Sequence, residues 1–197
     1  MKNSRHAELV SASYMEFGKI IKTFKSKKGN DVVFRYVKKE DLDAMLAYIN
    51  ELICEDTFIE RCGEQITREE EQEVLDTLLD QMKKGEKINV VVEVGGKYVG
   101  SGEVRKGKHR HAHMAELGIS LAKEFREEGI GTELLVTLID EAKKMKLRLL
   151  TLNCFENNPR ALHVYEKLGF KCAGVIPGAV SFKGEFVGEV KMYLPIK

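Results

Sequence analysis

Apolar residues recur along this chain with two different periods, and each period predicts a different kind of element. In residues 40–53, and in the stretch that follows Thr67, apolar side chains recur every three or four positions, which predicts two amphipathic helices. Thr67 and Glu70 form the pattern of a capping box, which marks the start of the second helix. Runs rich in β-branched residues predict strands, and Gly95-Gly96 predicts a tight hairpin between two of them.

The predicted order is a strand, two helices, three antiparallel strands, a helix, a strand, a helix and two strands. The strands are predicted at residues 31–37, 88–94, 97–104, 117–121, 147–154, 170–176 and 186–194, and the later helices at 132–146 and 159–168. This order predicts one α/β domain over residues 31–197, with a mixed, mostly antiparallel sheet flanked by helices. We interpret residues 1–30 as an N-terminal extension that is poorly ordered or loosely docked, because residues 19–28 are lysine-rich and weakly periodic.

A glycine-rich turn between a predicted strand and a predicted helix carries the clearest chemical signal. Its sequence is Arg126-Glu127-Glu128-Gly129-Ile130-Gly131-Thr132. Such a turn directs backbone N–H groups and the positive end of the helix towards one point, an arrangement that binds phosphate or pyrophosphate. Gly129 and Gly131 carry no side chain that would block close approach of the phosphates.

A second motif follows the turn at a fixed distance. It has the form N-x-x-A-x-x-x-Y-x-x-x-G-F, with Asn158, Ala161, Tyr165, Gly169 and Phe170 at the specified positions. Together with the R-x-x-G-x-G turn, it resembles the signature of the GNAT superfamily of acyl-CoA-dependent N-acyltransferases. The resemblance implies the GNAT fold and the transfer of an acetyl group from acetyl-CoA to a primary amine. It also implies that the cofactor crosses the sheet where two strands separate.

The resemblance further implies which residues contact acetyl-CoA. Its pyrophosphate is expected on the glycine-rich turn, and its pantetheine arm is expected along the backbone of residues 117–121, like an added strand. The cofactor-binding residues predicted on this basis are Leu117, Ile119, Leu121, Arg126, Glu127, Glu128, Gly129, Ile130, Gly131, Thr132, Asn158, Arg160 and Tyr165. Two of these residues have an alternative interpretation. Asn158 is suited to cap the helix that begins at Pro159, and Thr132 either caps its own helix or donates a hydrogen bond to a phosphate oxygen.

Tyr165 is the predicted catalytic acid, and Glu116 is the predicted general base. In the family, a tyrosine at this position protonates the departing CoA thiolate, and a tyrosine pKa of roughly 10 keeps it protonated at neutral pH. Glu116 resembles a glutamate that some GNAT members carry at the start of this strand. Some members instead carry a glutamate five residues before the asparagine, where this chain has Asn153. An exposed strand carboxylate remains the alternative reading of Glu116, and Glu103 or a water relay remains the alternative base.

Acidic residues dominate the region of the first two helices, which the resemblance assigns to the acceptor. Eleven Asp and Glu residues lie between positions 51 and 80, with only Arg61 and Arg68 to oppose them. A negative surface attracts a cationic amine, such as a polyamine, a lysine or a protein N-terminus. We predict substrate contacts for the acids nearest the loop, Glu55, Asp56 and Glu60. The acids of the second helix are more simply read as a solvated face, and residues 181–186 are predicted to cover the acceptor from the other side.

Composition argues against several other classes of protein. Lys and Arg total 32 against 31 Asp and Glu, so the net charge of +1 gives no reason to expect nucleic acid. No apolar run approaches the roughly 20 residues of a membrane helix. Four cysteines without paired spacing indicate reduced thiols in a cytoplasmic protein. His109, His111 and His113 alternate as strand ligands would, but neighbouring cationic residues disfavour a metal.

Two functions from different classes follow. The first is an enzyme that binds acetyl-CoA and an amine acceptor and transfers the acetyl group by direct attack in a ternary complex. The alternative is a catalytically weak acyl-CoA-binding domain that acts as a sensor or structural subunit. Tyr165 and the intact turn favour the enzyme, whereas Asn153 counts against it. We expect no metal, no nucleic acid and no membrane partner, and we leave a homodimer open.

Overall fold

The computed structural model describes residues 16–197, and in that range one α/β domain is built on a single eight-stranded sheet. The strands are β1 (Ile20–Lys25), β2 (Asp31–Tyr36), β3 (Lys87–Val94), β4 (Lys97–Lys106), β5 (Met114–Leu121), β6 (Leu149–Phe155), β7 (Lys171–Phe182) and β8 (Glu185–Pro195). The helices are α1 (Leu42–Glu55), α2 (Arg68–Lys83), α3 (Ile130–Lys144) and α4 (Pro159–Lys167). The spatial order of the strands is β1-β2-β3-β4-β5-β6-β8-β7. Only β5 and β6 pair in parallel, so the predicted mixed, mostly antiparallel sheet is confirmed.

The N-terminal arm differs from its prediction. β1 pairs antiparallel with β2 at the edge of the sheet, and Phe24 contacts Phe34 edge-on at 5.1 Å between ring centroids. Lysines interspersed with apolar residues suit an edge strand, because charged side chains on an edge oppose further pairing. The prediction of a poorly ordered or loosely docked extension is therefore wrong for residues 20–25. The first 15 residues of the predicted extension lie outside the described range.

The helices that frame the acceptor region begin where local capping places them. Thr67 accepts a hydrogen bond from the Glu70 N–H at 3.2 Å, and the Glu70 carboxylate accepts one from the Thr67 N–H at 2.7 Å. The predicted capping box is thus confirmed, and α2 follows it directly. The first helix starts at Leu42 rather than residue 40, because residues 39–41 form a turn of 3-10 helix.

The sheet separates the helices into two layers. A Cβ at Gly102 would contact Leu134 and Leu138 of α3, so this face of β4 lies against α3. Ser101 and Glu103, on the opposite face of β4, line a cleft under α1 and α2. The hydrophobic core fills the interface of the sheet with α3 and its interface with α1 and α2. The cleft lies in the polar part of the second interface.

A gap in the sheet lies between β5 and β6. The two strands pair only over residues 114–116 and 149–151, whereas β5 continues along β4 as far as Leu121. Within the described chain, no strand pairs with the β6 side of residues 117–121. Backbone groups along this stretch are therefore available to an extended ligand, as in β-strand addition.

Candidate active site

A polar cleft opens on the α1–α2 side of the sheet and reaches the gap between β5 and β6. The part near the gap has a volume of about 340 Å³, and an adjoining part under α2 has a volume of about 790 Å³. Tyr165, Glu116, Asn158 and Glu60 all line the part near the gap. The structure thus brings both predicted catalytic residues into one cavity.

Tyr165 lies on α4, deep in this part of the cleft. Its side chain is 8% exposed, and burial, with a smaller effect of Cys154, raises its pKa above the ordinary tyrosine value. Desolvation favours the neutral phenol, so the hydroxyl keeps its proton at neutral pH. Asn158 caps α4 by accepting a hydrogen bond from the Ala161 N–H at 3.2 Å. The predicted cap is confirmed, and it fixes the helix that presents Tyr165.

Two glutamates face the cleft from neighbouring strands, in different environments. Glu103 lies between Lys87 and Arg105, at 2.5 and 2.7 Å between charged atoms. Burial alone would raise the pKa of Glu103, but these two cations lower it below its usual value. Glu116 makes one longer contact, 3.7 Å to Arg105, and its side chain is 39% exposed. The charge of Glu116 is therefore less compensated than that of Glu103, and its role as the base stays a prediction.

The glycine-rich turn leads into the first turn of α3. Gly129 precedes the helix with φ of +84°, a backbone conformation that favours glycine, and no side chain among residues 16–197 caps the helix N–H groups. A Cβ at Gly131 would meet only the Ile119 side chain, at 3.9 Å, so the space beside the turn is open. The predicted capping role of Thr132 is wrong, because the helix begins at Ile130. Its hydroxyl as a phosphate donor stays a prediction.

The hairpin between β1 and β2 holds the glycine-rich turn from outside, which the sequence did not reveal. Glu128 is 2% exposed, and its carboxylate accepts hydrogen bonds from Ser26 Oγ at 2.6 Å and Asn30 Nδ2 at 2.8 Å. Lys28 Nζ lies 3.2 Å from the other carboxylate oxygen, and the Lys27 N–H donates to the Glu128 carbonyl. Glu128 therefore anchors the turn to the hairpin, with its charge directed away from the open side.

Removal of one anchor is expected to weaken the fold in a pH-dependent way. The Ser26 hydrogen bond, followed by Asn30 and Lys28, lowers the pKa of Glu128. A lowered folded-state pKa adds stability above the unfolded value of about 4.3, and this stability disappears as pH falls through the folded pKa. Ser26→Ala should therefore lower Tm at pH 7, and the difference from wild type should shrink in acid.

Thermal melts across a pH series test this expectation. Ser181→Ala is the matched control, because Ser181 is an exposed serine on β7. A deficit in Ser26→Ala that stays constant from neutral to acid pH would contradict the role of the Glu128 charge.

Arg126 binds a residue that we assigned to the substrate. Its guanidinium forms two hydrogen bonds with the Glu55 carboxylate, at 2.5 and 2.7 Å, and its Nε donates to the Leu121 carbonyl at 2.8 Å. Glu55 ends α1, and Asp56 follows in a left-handed conformation that terminates the helix. Of the three predicted substrate residues, only Glu60 lines the cleft. Spacing along the sequence gave no sign of the pair, since its partners are 71 positions apart.

Another ion pair joins the glycine-rich turn to the start of α4. Glu127 Oε1 lies 2.5 Å from Arg160 Nη2, and both side chains are exposed. Two residues predicted to contact the cofactor thus contact each other. Their direct contact with acetyl-CoA stays a prediction.

Three aromatic residues form a cluster beside the cleft, and two of them, Phe58 and Phe155, line it. Phe58, in the loop after α1, stacks on Phe182 at 4.9 Å between ring centroids, and Phe155 contacts both rings edge-on. Phe182 ends β7 within the segment predicted to cover the acceptor. Sequence analysis missed this cluster because its members belong to three separate elements.

Several other features bear on function. His109–His111 forms a short 3-10 helix and β5 starts at Met114, so the histidines do not share a strand face as predicted. Within residues 16–197, no group of three or more His, Cys, Asp or Glu side chains is placed to hold a metal ion. In the same range, no helix is long and apolar enough to cross a membrane.

Comparison with known proteins identifies the family. The model of the Acetyltransferase (GNAT) family matches residues 46–170, which is more than half of the chain. The chain therefore belongs to the GNAT acetyltransferase family. The match spans α1 to α4 and includes the glycine-rich turn, the gap in the sheet and Tyr165.

Solved structures share the same fold. A GNAT-family acetyltransferase from Streptococcus pneumoniae has 25% sequence identity and a TM-score of 0.75, over 84% of this chain and 99% of that one. An N-acetyltransferase from Staphylococcus aureus has 24% identity and a TM-score of 0.76, over the same shares. RimL, a ribosomal L7/L12 α-N-protein acetyltransferase in complex with coenzyme A, has 14% identity and a TM-score of 0.77, over 90% and 98% of the two chains.

Proposed function

We propose that this protein is an acetyl-CoA-dependent N-acetyltransferase that acts on a primary amine by direct attack in a ternary complex. The observation that carries the proposal is the convergence of Tyr165, Glu116 and the gap between β5 and β6 in one cavity. Family membership and the coenzyme A complex of RimL support the choice of cofactor. A ternary complex suits the cleft, because it is open both towards the gap and under α2.

The residues around the gap fit acetyl-CoA. The uncapped N–H groups of residues 130–132 and the positive end of α3 would hold the pyrophosphate. The free edge of residues 117–121 would hold the pantetheine arm through backbone hydrogen bonds. Gly131 leaves room for the phosphates, since its nearest neighbour atom lies at van der Waals distance from a built Cβ. Arg126 and Arg160 are paired with Glu55 and Glu127, so the backbone N–H groups and the helix end carry the attraction for phosphate.

Each catalytic residue then has one proton to move. Acetyl-CoA supplies a thioester whose carbonyl carbon is open to a nucleophile. Glu116 accepts a proton from the acceptor ammonium, directly or through water, so that a neutral amine forms the new C–N bond. As the C–S bond breaks, Tyr165 donates its proton to the sulfur and the new N–C nitrogen loses its second proton to solvent, so that the products are an N-acetyl amine and free CoA thiol. The proton taken up by Glu116 returns to solvent, and Tyr165 recovers its own proton from solvent.

A thiol-release assay with a panel of amines tests the proposal. Purified protein is incubated with acetyl-CoA and, separately, with polyamines, amino acids, aminoglycosides and peptides with free N-termini. We expect release above the rate of spontaneous hydrolysis with one class of amine. Measurable binding of acetyl-CoA without release for any amine would instead support the catalytically weak, acyl-CoA-binding alternative. Asn153, at the second family position for a base, is the feature that favours that alternative.

Loss of the Glu116 carboxylate should shift the pH dependence of the reaction. We expect Glu116→Gln to lower kcat/KM by about 10²-fold or more near neutral pH, since general base catalysis typically contributes 10²- to 10⁴-fold. The deficit should shrink at high pH, where the free amine needs no base.

Glu103→Gln is the control for the identity of the base. Glu103 is already bound by Lys87 and Arg105, so its replacement should alter acceptor binding more than the pH profile. A pH profile that changes in Glu103→Gln but not in Glu116→Gln would reverse the assignment.

A further inference from the structure

The part of the cleft under α2 contains a buried carboxylate that forms no ion pair in the described chain. Glu71 lies in the first turn of α2, is 5% exposed, and makes no ion pair within residues 16–197. Arg61, which lines the same cavity, lies 3.9 Å from the Glu70 carboxylate instead. A buried carboxylate without a partner carries a substantial desolvation cost, so a cation that entered this space would be stabilised.

Two more polar groups of the same cavity lack partners. Tyr48 Oη and Asn89 Oδ1 are both in side chains more than nine-tenths buried, and neither makes a hydrogen bond of normal geometry in the described chain, although Ser120 is close enough to Tyr48 to oppose the rise in its pKa that burial causes. Glu71, Tyr48 and Asn89 all line the 790 Å³ part of the cleft. The ring of Tyr98 lies 5.1 Å from that of Tyr48, between centroids. Carboxylate, hydroxyl and amide oxygens beside aromatic rings are the groups that bind an ammonium ion.

We infer that the acceptor carries a second ammonium group that binds beside Glu71, Tyr48 and Asn89, which makes diamines and polyamines the preferred substrate class. This inference rests on the proposed function. Asn89, Ser101 and Glu103 line both parts of the cleft, so one flexible chain can reach from Glu71 towards Tyr165. The reacting amine then lies near Tyr165, and the second ammonium group determines which amines bind.

Charge in the cavity supports this assignment. Burial raises the pKa of Glu71, against a smaller opposing effect of Arg61, as expected for a carboxyl group held away from water. Four glutamates (Glu70, Glu71, Glu73 and Glu103) line the same space against three cations (Arg61, Lys87 and Arg105), so its lining has a net charge of −1. The reading of α2 as a solvated acidic face is therefore wrong for Glu71, although it holds for exposed residues such as Glu69.

Matched amines test the inference. Unbranched α,ω-diamines of increasing length are compared with n-alkylamines of the same lengths, by thiol release and by calorimetric binding to the protein saturated with CoA. We expect diamines to bind about tenfold or more tightly than the matched monoamines, because a hydrogen bond to a charged group is stronger than one between neutral groups. Glu71→Gln should raise KM for diamines by a similar factor, leave kcat at saturation largely unchanged, and leave monoamines unaffected.

Controls separate the possible outcomes. Glu69→Gln removes an exposed charge from the same helix and should keep the preference for diamines. Tyr48→Phe, which removes only a hydroxyl group, should weaken diamine binding in the same direction. Equal binding of diamines and monoamines, or equal effects of Glu71→Gln and Glu69→Gln, would overturn the inference. If no amine reacts, the proposed function fails, but calorimetry still decides whether Glu71 binds diamines.

Discussion

Tyr165→Phe is expected to reduce kcat by about 10²- to 10⁴-fold, the range that general acid catalysis typically contributes. Without the phenol, the departing thiolate must take its proton from water or leave as the anion. The affinity for acetyl-CoA should change little, because the substitution removes one oxygen atom from a ring that stays packed near Phe170. A fall in kcat without a matching change in Kd indicates an interaction made mainly in the transition state.

Steady-state kinetics and calorimetry on the same preparation check this prediction. Tyr193→Phe is the matched control, because Tyr193 lies on β8 and does not line the cleft. Burial raises the pKa of Tyr165, so this residue should cause no loss of kcat at any pH below about 10. Unchanged kcat in Tyr165→Phe would remove Tyr165 from the mechanism and leave solvent as the acid.

Gly131→Ala is expected to weaken acetyl-CoA binding by about tenfold or more while the fold stays intact. The added methyl group has room within the protein, where its nearest contact is Ile119 at 3.9 Å. It would project into the space that the phosphates need, and an overpacked contact typically costs about 1–3 kcal/mol. Alanine also favours the helix more than glycine, by up to about 1 kcal/mol, so Tm should be equal or higher.

Gly131→Ala should therefore lower CoA affinity without lowering the stability of the fold. Calorimetric titration with CoA and a thermal melt measure the two quantities separately. Gly129→Ala provides the contrast, because Gly129 has a positive φ and a Cβ there would meet the Lys27 side chain at 3.4 Å. That variant should lose both stability and affinity. Full CoA affinity in Gly131→Ala would show that the phosphates bind elsewhere.

The local motifs predicted most of the framework of the site. The capping box at Thr67, the hairpin at Gly95-Gly96 and the cap at Asn158 are all confirmed, because each depends on residues adjacent in sequence. Periodicity found α1 and α2 to within a few residues. The family resemblance, carried by the two spaced motifs, is confirmed by the family model.

Contacts between segments that are distant in sequence could not be predicted from local sequence patterns. Strand β1 was not predicted because its sequence is lysine-rich, and an edge strand needs few apolar residues. No pattern in the sequence linked Ser26 to Glu128, which lies 102 positions away. The Arg126–Glu55 pair joins a residue that the family resemblance assigned to the cofactor and one that its place near the loop assigned to the substrate. Glu71 is one acid among many on α2, and only the packing of α2 against the sheet distinguishes it by burial. Each of these features depends on tertiary placement rather than on a local pattern.

The central claim is that acetyl groups pass from acetyl-CoA to an amine in this cleft. Mass spectrometry of the amine, with a parallel count of free thiol, tests it most directly in one incubation of protein, acetyl-CoA and the amine panel. We predict one N-acetylated amine for each thiol released, with Tyr165→Phe slowing both equally. Bound acetyl-CoA with no acetylated amine, or thiol release that is independent of any amine, would contradict the account.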